Sequence, residues 1–250
     1  QAFACSHQSG ARIWMHNNFL IDRTGKMSKS SGEFLRLPLL VSKGIHPLAY
    51  RLMCLQAHYR SELEFSWDNL LAASKRLQRI VLGVRKINAD TEILMTMRAK
   101  SDAYGGLNSS DVSNFCRGAT PRLKEYITKF NHQVTNDLGT PAALSTLENL
   151  IKDRYLTKRD KIRGVALFDS VLGLNLLRLT RRRLRILRTK TGKANVIIKD
   201  SEVQSLIDAR RFIKEMGDYE LADRLKSVLL GMGVEVMDGD PLKWDWRIEV

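Results

Sequence analysis

Residues 25–32 read Gly-Lys-Met-Ser-Lys-Ser-Ser-Gly. Lys26 and Lys29 stand three apart among small hydroxylated residues, between Gly25 and Gly32. The stretch is too polar to build a core, and its glycines are costly to order. It suits a loop that closes two ammonium groups on a polyphosphate, where lysine acts as a point charge and closure completes the site. A bare Lys-x-x-Lys run would read as a solvated loop, but the full word Lys-Met-Ser-Lys-Ser is far rarer by chance.

A second set of chemistry-bearing residues lies near the other end: Arg210, Lys214, Tyr219, Asp223 and Trp244. These types suit single-stranded RNA. Aromatic rings stack on exposed bases, cations hold phosphates, and carboxylates accept from base amino groups. The plainer alternative has Tyr219 in a core and Asp223 paired with Arg224 on the surface. Between the two sets, Arg178 to Lys193 holds six arginines and two lysines with no acid. It is either a solvated helix face or a sequence-independent contact to a nucleic-acid backbone. Cys5-Ser6-His7 with His16 lacks the spacing of a metal site, and Cys54 and Cys116 have no partner for nucleophilic work.

The elements that must position these residues are mostly helical. Pro47 opens one helix with Leu48, Leu52 and Leu55 at helical spacing, closing at His58–Ser61. Ser66 caps a second, whose stripe runs Leu70, Leu71, Leu77, Ile80, Val81 and Val84. Residues 88–120 read as a variable insertion with loop signals. A third helix starts near Pro121, and a fourth is expected with Thr140 as cap and Pro141 in its first turn. Leu167 to Leu187 reads as one amphipathic run. Two further helices follow, patterned by Val203, Leu206, Ile207, Ile213 and Met216, then by Tyr219, Ala222, Leu225, Val228 and Leu229, with a break at Gly217-Asp218. A short strand is expected over 233–238.

Composition sets the outer bounds. The chain has 250 residues, is 44% apolar, and contains only 5 prolines and 16 glycines, which predicts a mainly α protein with a sizeable core. Lysine and arginine number 41 against 27 acids, a formal charge of +14 that favours polyanionic partners. Three scattered cysteines argue against a disulfide framework and for a reducing compartment. No apolar run is long enough for a membrane span, and a soluble cytoplasmic protein is expected.

The octet resembles the second signature loop of class I aminoacyl-tRNA synthetases, and its flanks narrow the likeness. Ile13-Trp14-Met15-His16-Asn17-Asn18-Phe19-Leu20 precedes it. His46-Pro47-Leu48-Ala49-Tyr50-Arg51 and His58-Tyr59-Arg60-Ser61, then Leu63-Glu64-Phe65-Ser66, follow. This run is similar to cysteinyl-tRNA synthetase, although Ser31 and Glu33 replace the usual Leu and Asn. Asn136-Asp137-Leu138-Gly139-Thr140-Pro141-Ala142-Ala143-Leu144 resembles a segment of that family's helical bundle. Leu206-Ile207, Arg210, Asp218, Tyr219, Ala222, Asp223 and Arg224 resemble its anticodon-binding module, with Lys214 in place of an arginine and Gly217 in place of a lysine.

The resemblance implies the end of a catalytic domain over 1–36 and a connecting, stem-contacting segment over 37–65. A helical bundle over 66–193 and a small α(+β) anticodon module over 194–250 would follow. It implies ATP contacts at Lys29, Lys26, Ser28 and Ser30, with Lys26 and Lys29 acting in catalysis. ATP, cysteine and tRNA(Cys) would be the partners, and a monomer is favoured. It also implies a preceding half that carries the nucleotide sheet and the family's zinc ligands, so the chain reads as a C-terminal part, inactive alone. Two alternatives stay open: the cysteine ligase of mycothiol synthesis, and a non-catalytic tRNA-binding paralogue.

Overall fold

The computed structural model describes residues 14–22, 25–26, 36–87, 118–184 and 200–248. Among these it is mainly helical. Strands β1 (Leu20–Asp22) and β2 (Gly25–Lys26) pair antiparallel, with Ile21 opposite Lys26. β1 also pairs in parallel with β3 (Leu63–Glu64), Leu20 opposite Leu63, which closes a small sheet in the order β2-β1-β3. Between β1 and β3 in sequence run α1 (Leu37–Ser42) and α2 (Pro47–Leu55). The second starts as Pro47 predicts, capped by His46 Nδ1, which accepts from the Leu48 amide at 3.2 Å. It stops at Leu55, three residues short of His58.

The long helix α3 (Trp67–Lys86) begins at Ser66, whose hydroxyl accepts from Asn69 N at 3.1 Å. Its stripe feeds two cores. Leu70 and Ala73 join Leu40, Ile45, Ala49, Met53 and Phe65 under the small sheet. Leu77, Ile80, Val81 and Val84 face the bundle made with α4 (Pro121–Thr135), α5 (Thr140–Lys152) and α6 (Lys158–Leu172). At the bundle centre the Phe130 and Phe168 rings stack at 4.0 Å. Thr140 lies inside the first turn of α5. Gly139 is the cap instead, with no side-chain bond, so Thr140 does not serve as the expected cap.

The expected run from Leu167 to Leu187 is broken. Gly173 takes φ +65° at the end of α6, and a Cβ there would press on the Arg51 guanidinium, which itself donates to Leu172 O at 2.8 Å. The segment after Gly173 stays packed although it is not helical. Asp169 accepts from the amides of Leu174 and Leu176, both at 2.7 Å, and Arg85 donates to Leu179 O. Burial pushes the Asp169 carboxyl up to about 6, against the pull of those amides. A short turn of helix, α7 (Arg181–Leu184), follows.

The C-terminal module is α8 (Asp200–Glu215), α9 (Tyr219–Gly231) and an antiparallel pair β4 (Val234–Val236) and β5 (Trp244–Trp246). Its core is Val203, Ile207, Leu229, Val234 and Trp244. It sits on α3 through charge: Lys75 reaches Glu235 at 3.1 Å, Arg79 reaches Asp240 at 2.5 Å, and Gln78 donates to the buried Asp245 at 2.8 Å.

Candidate functional site

The residues expected to grip phosphate follow β1 in sequence. Lys26 ends β2, so its backbone is fixed opposite Ile21. Ser28, Lys29 and Ser30 lie outside the described residues, as do Cys5, His7 and Cys116. What is visible is how the root of the loop is held. Asn18 donates its amide to Tyr59 O at 2.8 Å and its Nδ2 to Arg60 O at 3.0 Å. The His58–Arg60 turn is in turn held by Asp137 at the α4–α5 junction. Asp137 accepts from Tyr59 OH at 2.5 Å and from Arg60 Nη2 at 3.1 Å, while its carbonyl accepts from His58 Nε2 at 2.8 Å. Asp137 and Leu138 both have positive φ, 54° and 51°, in the left-handed region that costs non-glycine residues energy. The Tyr59 hydroxyl, then Arg60, hold the Asp137 carboxyl below the usual carboxylate range. A chain of contacts therefore runs from the bundle to the strand that precedes the loop. Sequence reasoning found the words His58-Tyr59-Arg60-Ser61 and Asn136-Asp137 but not their contact. The one local hint was a carboxylate in a turn beside Gly139.

The RNA-facing candidates divide in two. Tyr219 is 65% exposed, and Asp223 also lies open on α9. Lys214 reaches Asp238 at 3.4 Å with its ammonium still partly exposed. Arg210 and Trp244 are placed otherwise, which corrects the expectation for both. Arg210 is 4% exposed. Its Nη1 and Nη2 donate to the two Asp238 oxygens at 2.8 and 3.0 Å, and its Nε donates to Ala222 O at 3.1 Å. Its planar fork is thus consumed in joining α8, α9 and the turn after β4. Trp244 is 2% exposed, its Nε1 donates to Gln204, and Arg181 covers its ring at 4.0 Å. Both residues shape the module from within. Local pattern could not separate them from solvent-facing positions, because Arg210 meets Ala222 and Asp238, and Trp244 meets Gln204 and Arg181, across long separations in sequence.

The structure adds a residue that sequence reasoning passed over. Phe212 is 62% exposed and Met216 is 72% exposed, on the same end of the helix pair as Tyr219. Met216, expected inside, is outside because α8 ends at Glu215 and the chain turns at Gly217. On the module Arg210, Lys214 and Lys226 converge on Asp238, whose carboxyl is held down at about 2, first by the Arg210 hydrogen bonds. Exposed rings such as Phe212 and Tyr219 are of a type on which unpaired bases can stack. Of the basic tract, Arg182 and Arg183 are exposed and Leu177 and Leu184 are buried, but Arg178 is half-buried and the chain at Leu177 is not helical, so one helical face does not account for the pattern.

Comparisons with known proteins bear on both ends. Residues 1–75 match the family model described as tRNA synthetases class I (C) catalytic domain. That stretch runs past the loop, through α1, α2 and β3, into α3. Across 99% of its length the chain is 45% identical to a protein of Novosphingobium aromaticivorans, covering 46% of that protein. Its homologues are cysteine–tRNA ligases. A second, from Zymomonas mobilis, is 41% identical over 100% of the chain and 49% of the relative. A third, from Treponema denticola, is 33% identical over 99% of the chain and 48% of the relative. The chain spans about half the length of the curated ligases it matches. The matches do not support the expected placement of the chain as a C-terminal part. No helix among the described residues is long and apolar enough to cross a membrane. No group of three metal-ligating side chains occurs among the described residues either.

Proposed function

We propose that this chain is part of a cysteine–tRNA ligase and supplies its phosphate-gripping loop together with tRNA-binding helical domains. The observation that carries the reading is 45% identity over 99% of the chain to a protein of that name, with Lys26-Met27-Ser28-Lys29-Ser30 intact within the matched stretch. In this reaction the cysteine carboxylate attacks the α-phosphate of ATP. The bond to the bridging oxygen breaks, and pyrophosphate leaves with added charge. Lys29, assisted by Lys26, stabilises that charge, and the Ser28 and Ser30 hydroxyls donate to phosphate oxygens. One such contact, made fully only in the transition state, is worth about 3 kcal/mol. The cysteinyl group then passes to the tRNA 3′ end.

The Asp137–Tyr59–Arg60 and Asn18 contacts support the loop by fixing the strand from which it departs. Trp14 and Phe19, 71% and 55% exposed, offer an apolar surface beside that strand to the remainder of the catalytic domain. Adenylate formation needs that remainder, so the chain alone catalyses no ATP–pyrophosphate exchange. In the C-terminal module, Tyr219 and Phe212 stack on unpaired anticodon bases while Lys214 and Asp223 contact the backbone and a base edge. The test is filter binding of a tRNA(Cys) transcript. Tyr219→Ala removes a stacking contact of about 1–3 kcal/mol, which weakens binding roughly 5- to 150-fold. Unchanged affinity would sink the anticodon assignment. The module with its exposed rings also favours this reading over a cysteine ligase that acts on a small amino sugar, which has no RNA to hold.

A further inference from the structure

The turn from α5 into α6 concentrates charge in a way that helix stability does not explain. Residues 152–163 carry Lys152, Arg154, Lys158, Arg159, Lys161 and Arg163 against two acids, Asp153 and Asp160. Both acids point inward, their side chains 3% exposed. Asp153 accepts from Arg122 Nε at 2.7 Å, Tyr126 OH at 2.9 Å and the Tyr155 amide at 2.8 Å. Asp160 lies beneath the first turn of α6, where Thr157 Oγ1 accepts from its amide. Lys161 and Arg163 are occupied with the carbonyls of Ile151 and Gly118. Lys152, Arg154, Lys158 and Arg159 are exposed, and among the described residues none of them has a carboxylate within ion-pair distance. Solvent therefore meets cations with no interspersed acid. Lys158 and Arg159 also occupy the first two positions of α6, where the helix dipole is positive and a cation is unfavourable.

Amid these cations stands Tyr155, 82% exposed and the most exposed aromatic among the described residues. It is not a loose ring. Its amide is held by Asp153, and one face rests on the Arg122 guanidinium at 4.9 Å, itself fixed by the same carboxylate. The rest of the ring is open. A rigid flat ring among unpaired cations matches an unstacked base between phosphates. An acidic peptide would use the cations but not the ring, and a membrane surface would need more apolar contact than one tyrosine.

We propose that the α5–α6 turn is an RNA-binding surface distinct from the C-terminal module. Arg154, Lys158 and Arg159 hold backbone phosphates there, and Tyr155 stacks on one unpaired base. That the RNA is the tRNA substrate rests on the function proposed above, whereas the surface itself does not. The test uses the whole chain with two probes, a tRNA(Cys) transcript and an unrelated folded RNA of equal length, titrated from 50 to 300 mM salt. The triple variant Arg154→Gln/Lys158→Gln/Arg159→Gln should lower the slope of log K against log salt by about 2, given roughly 0.7–0.9 per phosphate contact. Tyr155→Ala should weaken binding about 5-fold or more and leave the slope unchanged. Circular dichroism checks that both variants keep their helices. If both match the parent chain while Tyr219→Ala still weakens tRNA binding, this surface is refuted and the tRNA reading stands. If the parent binds both RNAs equally and the triple variant loses both, the surface stands and the tRNA reading falls. If the parent binds neither RNA, both fall.

Discussion

Replacing Asp238 by Asn tests whether Arg210 is an internal brace or an RNA contact. The perturbation keeps the shape of the side chain and removes its charge. Arg210 then stays buried with Ala222 O as its remaining close acceptor and Asp223 at 3.8 Å. The magnitude follows from the carboxyl. Its value falls from 3.8 to about 2 in the folded state, chiefly through the Arg210 hydrogen bonds. At about 1.4 kcal/mol per unit, that corresponds to roughly 2.5 kcal/mol. The Asp238 side chain is 49% exposed, however, so solvent screening brings the figure to about 1–1.5 kcal/mol. Leaving the guanidinium underbonded adds to this, for an expected loss of about 2 kcal/mol at pH 7. Because the folded state binds the proton less tightly than the unfolded chain, the carboxylate's contribution is complete above about pH 5. It is lost as pH falls past the unfolded value of 3.8 toward about 2. Urea unfolding read by Trp244 and Trp246 emission, with Trp14 and Trp67 replaced by Phe, measures the gap between parent and variant. The gap should narrow steadily from pH 5.5 to pH 2.5. A variant as stable as the parent, or a gap that ignores pH, would refute the brace and return Arg210 to the RNA-facing set.

Three further outcomes are expected. Gly164→Ala would drive a Cβ into Leu150 Cδ1 and within 3.1 Å of Leu123 Cδ1 at the bundle centre. Overpacking of about 1–3 kcal/mol exceeds the gain in helix propensity of about 1 kcal/mol, so calorimetry should show a melting point lower by a few degrees. Asp137→Ala should free the His58–Arg60 turn and speed hydrogen exchange at the Asn18 and Leu63 amides, with exchange inside α4 unchanged; equal rates would show that Asp137 does not brace the strand. Lys29→Ala, in a catalytically complete protein containing this chain, should slow pyrophosphate exchange about 100-fold. A loss below 10-fold would remove Lys29 from the transition state.

Much of the fold was legible because local rules decided it. Ser66, Pro47 and Pro121 mark helix starts through capping and proline geometry, and the Leu77–Val84 stripe is buried as its spacing requires. Several of the departures turn on partners distant in sequence. The Leu167–Leu187 periodicity gave no sign that the chain leaves the helix at Gly173, where the departing segment is held locally by Asp169 and from afar by Arg85. Arg210 and Trp244 look like surface residues until Asp238 and Gln204 are brought to them. The candidate loop was legible as a word, since its chemistry lies in residue types alone. The brace at its root was not, since Asp137 is separated from Tyr59 by 78 positions.

The helix α3 has a further consequence. Its 20 residues make a rod of about 30 Å. Successive faces of that rod meet the core under the small sheet, the bundle core and the C-terminal module. One added residue anywhere before Leu77 would rotate everything downstream by about 100°. The bundle and module faces could then no longer match their partners while the sheet end stayed in place. The rod acts as a phase reference for the molecule. Its length is closed to insertion and deletion, and evolutionary change in chain length must fall elsewhere.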